Sequence, residues 1–156
     1  MKAIDVVKEL ALAELKEKHP SIPEHPLPDP KYNDRTANGL TKCIIDFINL
    51  SGGLAERRNS MGRYLKPKTY NNVFGKKVEL RKGNYIPTTG RKGTADISGL
   101  FQGVPIAVEV KIGRDKLSEA QEGYKGDFEA AGGWFCVAKD FEQFYLDFQK
   151  CFGHGS

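Results

Sequence analysis

Two apolar runs separated by only two residues constrain the fold of this chain more than any other feature. Residues 94–101 and residues 104–112 are both rich in side chains typical of β-strands, and Gln102-Gly103 lies between them. Two-residue connections of this kind are typical of β-hairpins. If the two runs pair directly across this turn, the register of the whole ladder is fixed, and Asp96 lies opposite Glu109.

Side-chain alternation sorts this hairpin into a polar and an apolar face. Asp96, Glu109 and Lys111 project from one face, because directly opposed residues and residues two apart along a strand point the same way. The other face carries an apolar set: Ile97, Phe101, Val104, Ile106, Val108, Val110 and Ile112. Two carboxylates and one ammonium group on a hairpin whose other face is core predict a site for a divalent metal. A surface salt bridge between the lysine and the two acids is the open alternative.

Basic residues are concentrated just before the hairpin. Between residues 56 and 92, eleven lysines and arginines face two glutamates, a local net charge of +9 in a chain whose total is +4. A basic block beside an acidic metal site suits a phosphate polymer. We expect nucleic-acid contacts from Arg57, Arg58, Asn59, Arg63, Arg91 and Lys92. A charged insertion that serves only solubility is the alternative.

Length and composition exclude several other classes of protein. At 156 residues the chain suits one domain with a substantial core, and no apolar run approaches the roughly 20 residues of a membrane span. The N-terminus lacks the continuous apolar stretch of a secretory signal. Three cysteines, Cys43, Cys136 and Cys151, lie far apart in the sequence. Their odd number and spacing favour reduced thiols in an intracellular protein and disfavour zinc.

An amphipathic helix and a proline-rich segment precede the main domain. Helical spacing of apolar residues covers residues 2–18, and five of the eight prolines fall between residues 20 and 30. Such a proline content predicts an extended tether. We therefore expect a helix and tether over residues 1–33, a folded domain over residues 34–152 and a loose tail over residues 153–156. The N-terminal helix is a candidate site for a protein partner.

Helical and strand patterns alternate along the main domain. Helices are predicted over residues 36–50, over residues 115–131 and after the capping pair Asp140 and Gln143; strands are predicted over residues 54–60, 77–86 and 134–138, beside the hairpin. The basic stretch before residue 77 is interpreted as a loop or a ribbon. The resulting order, α-β-β-β-β-α-β-α, predicts an α/β fold with a mixed sheet flanked by helices.

Four sequence elements, in this order along the chain, carry a family resemblance. They are Gly93-Thr94-Ala95-Asp96-Ile97, Glu109-Val110-Lys111, Leu117-Ser118-Glu119-Ala120-Gln121 and Ala131-Gly132-Gly133. With an upstream Arg-Asn segment at residues 55–60, they resemble the VRR-NUC branch of the PD-(D/E)XK nuclease superfamily, and specifically its small single-domain phage and prophage members. The similarity covers roughly residues 36–148. It implies a restriction-endonuclease-like core of order αβββαβ.

The resemblance also implies a role for each residue of the polar face. Asp96 and Glu109 would ligate the metal with help from the backbone carbonyl of Val110, Lys111 would orient or activate the attacking water, and Gln121 would line the site. Hard oxygen ligands in small number suit Mg²⁺ or Mn²⁺ on general grounds. Many members of the family carry a glutamate in the first helix, whereas residues 37–41 here contain no acid. The number of metal ions is therefore left open.

The sequence thus predicts a metal-dependent endodeoxyribonuclease that hydrolyses phosphodiester bonds of DNA with Mg²⁺ or Mn²⁺. A structure-selective form, acting on junctions or flaps as a homodimer, is a close variant of this prediction. A catalytically silent nucleic-acid-binding module on the same fold is one alternative, and a phage interaction protein is another. Phage or prophage origin implies the cytoplasm of a bacterial host, with no membrane partner.

Overall fold

Four helices and eight strands form the part of the chain that the computed structural model describes, namely residues 1–23, 27–58, 63–88 and 90–153. The helices are α1 (Ala3–Lys18), α2 (Ala37–Leu50), α3 (Glu119–Ala130) and α4 (Phe141–Phe152). The strands are β1 (Leu54–Arg57), β2 (Arg63–Leu65), β3 (Lys68–Asn71), β4 (Lys77–Arg81), β5 (Asn84–Ile86), β6 (Ile97–Phe101), β7 (Val104–Val110) and β8 (Trp134–Ala138). The predicted α/β class is confirmed.

The central sheet has the order β1-β6-β7-β8 and is mixed. Strands β1, β6 and β7 are antiparallel, whereas β8 runs parallel to β7. The predicted hairpin register is confirmed, because Ile97 pairs with Val108 and the ladder closes at the turn. Gln102 and Gly103 both have positive φ, 48° and 81°. Tight two-residue hairpin turns favour this backbone conformation at both central positions.

Each face of the sheet is covered by helices. The larger core lies against α1, α2 and α4, and is built around aromatic side chains such as Phe47, which contacts Phe144 and Phe148 edge to face. The smaller core lies on the other face, where α3 packs over Ala107 and Phe135. Small alanine side chains on this face allow α3 to approach the sheet closely. The position of α3 matters below, because its N-terminus reaches the predicted metal site.

Helix α1 packs onto the domain. Ala3 and Val7 are buried against the larger core, and the Ala3 N–H donates a hydrogen bond to Glu142 Oε2 on α4 over 3.0 Å. The proline content of residues 20–30 predicted an extended connection. Nothing in that segment indicated that α1 packs against the core of the domain. Recruitment of a protein partner by α1 and the domain limit at residue 34 stay predictions.

Strands β2 to β5 form two nested ribbons, and we call residues 63–86 the arm. Strand β2 pairs with β5, and β3 pairs with β4, both antiparallel. The ribbon interpretation of the basic stretch is confirmed, whereas the single strand predicted over residues 77–86 is wrong because β4 and β5 are separate. At this break a Cβ on Gly83 would lie 2.2 Å from Tyr64 Oη and 3.2 Å from Pro67 Cδ. A larger residue at position 83 would therefore require the exposed Tyr64 side chain to move.

Helices α3 and α4 begin at capping residues, as does α2 at Thr36. Helix α3 starts four residues later than its predicted range, because Ser118 Oγ accepts a hydrogen bond from the Gln121 N–H and defines the N-cap. At α4, Asp140 accepts from the Gln143 N–H as predicted, while Gln143 Oε1 accepts from the N–H of Lys139. Among the helices of the described ranges, none has both the length and the apolar character needed to span a membrane.

Candidate active site

Three of the predicted site residues meet where β6 begins and β7 ends, on the α3 side of the sheet. Glu109 lies within β7 and is 3 % exposed, which is rare for a carboxylate. Lys111 follows the strand, and its N–H donates to the Ala138 carbonyl over 2.9 Å, so the parallel pairing with β8 continues past the end of β7. Asp96 directly precedes β6.

The two oxygens of Glu109 have different surroundings. Oε1 lies 3.1 Å from Lys111 Nζ and 2.5 Å from Gln121 Nε2, which donates a hydrogen bond to it. Oε2 is fully buried and has no hydrogen-bond partner among the described residues. Leaving a buried carboxylate oxygen without a partner is costly, so the position favours a bound cation or donor.

Asp96 is held through both its backbone and its side chain. Its Oδ2 accepts a hydrogen bond from the Val110 N–H over 3.0 Å, and its carbonyl accepts one from the Arg58 N–H over 2.7 Å. These bonds tie the residue to β7 on one side and to the end of β1 on the other. The second carboxylate is therefore fixed next to Glu109 without depending on a flexible side chain elsewhere.

The charges at this site do not neutralise one another. Burial raises the pKa of Glu109 above its usual value of 4.5, and the negative charge of Asp96 raises it further. The Lys111 side chain lowers the pKa of Glu109, and the main chain of Asp96 lowers it to a smaller degree. The net effect is still a raised pKa. Two carboxylates beside one ammonium group would be stabilised by an additional positive charge.

The donor set fits a hard divalent cation. Glu109 Oε2 and the Asp96 carboxylate are oxygen donors of the kind that Mg²⁺ and Mn²⁺ take in small number, with waters and phosphate oxygens completing the shell. Within the described ranges, no group of three or more His, Cys, Asp or Glu side chains is suited to a metal. The carbonyl of Val110 as a third ligand stays a prediction.

The acids nearest to residues 37–41, Asp34 and Asp46, serve other roles. Asp34 Oδ2 accepts a hydrogen bond from the Phe141 N–H at the start of α4. Asp46 Oδ2 accepts from Tyr32 Oη over 2.8 Å and lies 2.5 Å from Lys42 Nζ. Neither is engaged with Glu109 or Asp96, which agrees with the absence of an acid from residues 37–41 noted in the sequence.

The start of α3 connects the helix to the site. Gln121 Oε1 accepts a hydrogen bond from the Ser118 N–H over 2.9 Å, which orients its amide so that Nε2 reaches Glu109. Gly93 has φ +80° and lies so close to α3 that a Cβ would be 2.2 Å from the Ala120 carbonyl oxygen. Sequence reasoning identified Gln121 from its polar character on an apolar stripe. It included Gly93 in the family resemblance but did not foresee the close approach of α3 that requires glycine there.

The predicted DNA-contacting residues are only partly assembled. Arg57, Arg58 and Arg91 line one cavity of about 470 Å³, together with Glu56 and Tyr124. This cavity is called the arginine groove below. Arg63 belongs to the arm, Lys92 is exposed between the groove and β6, and Asn59 lies outside the described residues.

Two of the three groove arginines already have partners in the chain. Arg57 Nη2 donates to Asn38 Oδ1 over 2.8 Å. Arg91 Nη2 lies 2.5 Å from Asp127 Oδ2, and its guanidinium carbon is 5.5 Å from the centre of the Tyr124 ring. The charge of Arg91 is thus partly compensated.

No protein-family model and no curated protein sequence matches this chain.

Proposed function

We propose that this protein is a nuclease that uses Mg²⁺ or Mn²⁺ to hydrolyse phosphodiester bonds of DNA. The observation that carries the proposal is Glu109 Oε2, a buried carboxylate oxygen without a hydrogen-bond partner in the described part of the chain. Its neighbour Asp96 adds negative charge to the same site, so the missing partner is best supplied by a cation. The resemblance to the VRR-NUC branch supports the same assignment.

Asp96 and Glu109 are the residues that would hold the metal. A bound Mg²⁺ or Mn²⁺ would supply Lewis-acid polarisation of the scissile phosphate and lower the pKa of a water. The hydrogen bond from Val110 holds one oxygen of Asp96, and the contacts from Lys111 and Gln121 hold one oxygen of Glu109. Each carboxylate is thereby oriented by one oxygen, which leaves the other for coordination.

Lys111 brings a positive charge that the chemistry can use. Its Nζ contacts Glu109 Oε1 at 3.1 Å, and its side chain is 16 % exposed, so it combines a fixed position with access from solvent. An ammonium group so placed can stabilise the negative charge that develops on phosphate oxygens in the transition state. Gln121 is a positioning residue, because it acts through the carboxylate of Glu109.

The surroundings of the site suit DNA. The Arg58 N–H bonds to the Asp96 carbonyl, so one of the residues that line the arginine groove is joined to the main chain of a candidate metal ligand. A phosphate backbone lying in this groove would pass the site. Action on junctions or flaps, a homodimer, and phage origin in a bacterial host are parts of this proposal that follow from the resemblance.

A catalytically silent nucleic-acid-binding module is the second candidate. One observation favours it: among the described residues, α2 contributes no acid to the site, and only two carboxylates converge there. A single weakly held metal would leave binding intact and cleavage slow.

Cleavage assays decide between the two candidates. Labelled single-stranded, duplex, flap and four-way-junction DNA would be incubated with the protein in Mg²⁺, in Mn²⁺ and in EDTA. We expect cleavage of at least one substrate with metal and none in EDTA or with Glu109→Gln. Glu119→Gln, which changes an exposed acid at the start of α3, is the matched control and should cleave normally. DNA binding without cleavage under every condition would exclude the nuclease and leave the binding module.

A further inference from the structure

The arm, residues 63–86, stands apart from the rest of the described chain. Its strands pair with one another, and no described helix or strand of the core packs on them. Seven of the twelve large hydrophobic side chains that are exposed in the described ranges lie on it: Tyr64, Tyr70, Val73, Phe74, Leu80, Tyr85 and Ile86. A ribbon with so much apolar surface and no intramolecular cover is typical of an interaction element.

The tip of the arm presents two apolar residues on a fixed backbone. Asn72 Oδ1 accepts hydrogen bonds from the N–H groups of Phe74 and Lys76 over 3.0 and 2.9 Å. The Gly75 N–H donates to the Asn72 carbonyl over 2.9 Å, and Gly75 has φ +71°. Val73 and Phe74 are 93 % and 86 % exposed. The turn therefore holds a valine and a phenylalanine in solvent at the far end of the ribbon.

The arm is strongly basic along its whole length. It carries seven lysines and arginines and one glutamate, a net charge of +6, and the basic residues are Arg63, Lys66, Lys68, Lys76, Lys77, Arg81 and Lys82. Within the described residues, none of these seven forms an ion pair with an acid. Lysines can protect ribbon edges from aggregation, but edge protection does not account for apolar residues at the tip.

We propose that the arm enters a groove of duplex DNA and inserts Val73 and Phe74 between adjacent base pairs. A strand length of about 3.3 Å per residue gives the arm a reach of up to about 35 Å, close to one turn of B-DNA. Proteins that bind the minor groove use apolar wedges in this way, unstacking a base step and kinking the duplex.

The charge distribution favours a linear polyanion such as DNA over a membrane surface. Basic side chains run from Arg63 at the base to Lys77 beside the tip, which suits a polymer lying along the arm, whereas a membrane would meet only the tip. This inference shares with the proposed nuclease only the identity of the ligand, because wedge insertion requires no cleavage chemistry.

Fluorescence of 2-aminopurine tests the insertion directly. The base brightens when it is unstacked, so duplexes carrying it would be titrated with the full-length protein in EDTA, where no metal reaches the carboxylates. We expect brightening with wild type, little brightening with Phe74→Ala, and recovery with Phe74→Tyr. Phe74→Ala should weaken binding about 5- to 150-fold, the range produced by removing one base-stacking side chain. The salt dependence of binding should not change, since no charge is removed.

Leu80→Ala is the matched control, because it removes a comparable exposed apolar side chain from the arm away from the tip. It should keep both affinity and brightening. Wild-type affinity and brightening in Phe74→Ala would overturn the proposal, as would an equal loss in Leu80→Ala. Phe74-dependent binding to anionic lipid vesicles, with no effect of Phe74 on DNA, would assign the tip to a membrane instead. Brightening without cleavage in metal would exclude the nuclease alone, and cleavage without brightening would exclude the wedge alone.

Discussion

Gln121 and Glu109 lie 12 positions apart in the sequence and meet side chain to side chain, with Nε2 of the amide 2.5 Å from Oε1 of the carboxylate. The same amide accepts a hydrogen bond from the N–H of Ser118 through its own oxygen. One residue therefore caps α3 and orients the candidate metal ligand. Formation of the first turn of α3 and assembly of the site depend on the same side chain.

Two substitutions at Gln121 separate these roles. Gln121→Glu keeps an oxygen for the Ser118 N–H and places negative charge at a helix N-terminus, where it is favourable, but it removes the donor to Glu109. We expect about a 10- to 100-fold loss of cleavage, the range typical of residues that orient metal ligands. Stability without metal should fall as well, because the new carboxylate lies against that of Glu109. Gln121→Ala should lose both the hydrogen bond from Ser118 and the hydrogen bond to Glu109, with a stability cost of about 1 kcal/mol from the lost cap. Urea unfolding and single-turnover cleavage measure the two effects, and equal cleavage by wild type and Gln121→Glu would contradict the orienting role.

Replacing Glu109 and replacing Lys111 should each reduce cleavage, but for different reasons. Glu109→Ala is expected to lose Mg²⁺ affinity in calorimetric titration, whereas Lys111→Ala should keep most of it. Both should lower cleavage by more than about 10²-fold, because each removes stabilisation of charge in the transition state. In Ca²⁺, which we expect to occupy the site without turnover, DNA affinity should survive Lys111→Ala better than cleavage does.

Lys116→Ala is the control for that pair, since it removes an exposed lysine from the loop before α3. Its cleavage rate and metal affinity should match the wild type. Near wild-type cleavage by Lys111→Ala, with the fold verified by circular dichroism, would remove the lysine from the mechanism.

The raised pKa of Glu109 predicts a pH-dependent stability of the metal-free protein. Between 4.5 and its raised pKa, the folded protein holds this proton while the unfolded chain has released it, so the free energy of unfolding falls as pH rises through that window. Glu109→Gln should lose this component and become relatively more stable than wild type at pH 8 than at pH 4. Urea titrations in EDTA across this range measure the difference, and parallel profiles would contradict it. Mg²⁺ should stabilise wild type but not the variant at pH 8.

Gly93 and Gly103 form a matched pair for testing how α3 docks. Both have positive φ, +80° and +81°, but a Cβ would meet the Ala120 backbone only at Gly93, whereas the space around Gly103 is open. Gly103→Ala should cost about 1 kcal/mol through backbone strain alone. Gly93→Ala should cost about 1–3 kcal/mol more and lower cleavage, because the loop carrying Asp96 must shift from the helix. Equal costs in urea unfolding would show that this contact is unimportant.

The arginine groove should contribute to the salt dependence of DNA binding. Replacing Arg57, Arg58 and Arg91 by alanine should weaken binding at low salt and reduce the slope of log K against log salt by up to about 2.7, at about 0.9 per phosphate. Arg58 should account for more of this change than Arg91, whose charge is partly compensated by Asp127. Lys150→Ala removes an exposed lysine of α4 that does not line the groove, and it should leave the slope unchanged. A slope unaffected by the triple substitution would identify the groove as solvated surface.

The hairpin could be predicted because its turn is short. Gln102-Gly103 fixes the pairing at one end, and strand alternation then carries the register to Asp96 and Glu109 without further information. Gln121 was predictable for a related reason, as an amide at a position where helical spacing favours an apolar side chain. In both cases a local sequence pattern and the burial of one face predict the same position for the side chain.

The strand limits of the arm and the docking of α1 could not be predicted in this way. Both faces of the arm are exposed, so its sequence lacks the alternation that reveals strand limits and register. The return of α1 to the core depends on tertiary contacts of Ala3 and Val7 that proline content does not encode. One signal was available but was missed: Val73-Phe74 is an apolar pair flanked by asparagine and glycine inside a basic run.

The isolation of the arm has an evolutionary consequence. Because no described element of the core packs on residues 63–86, the effects of substitutions there on stability should add to those of core substitutions. Selection can therefore change the length, charge or tip of the arm while the carboxylates at the end of β7 remain undisturbed. Recognition and chemistry would then diverge at separate rates, and related chains could acquire new targets without rebuilding the site that acts on them.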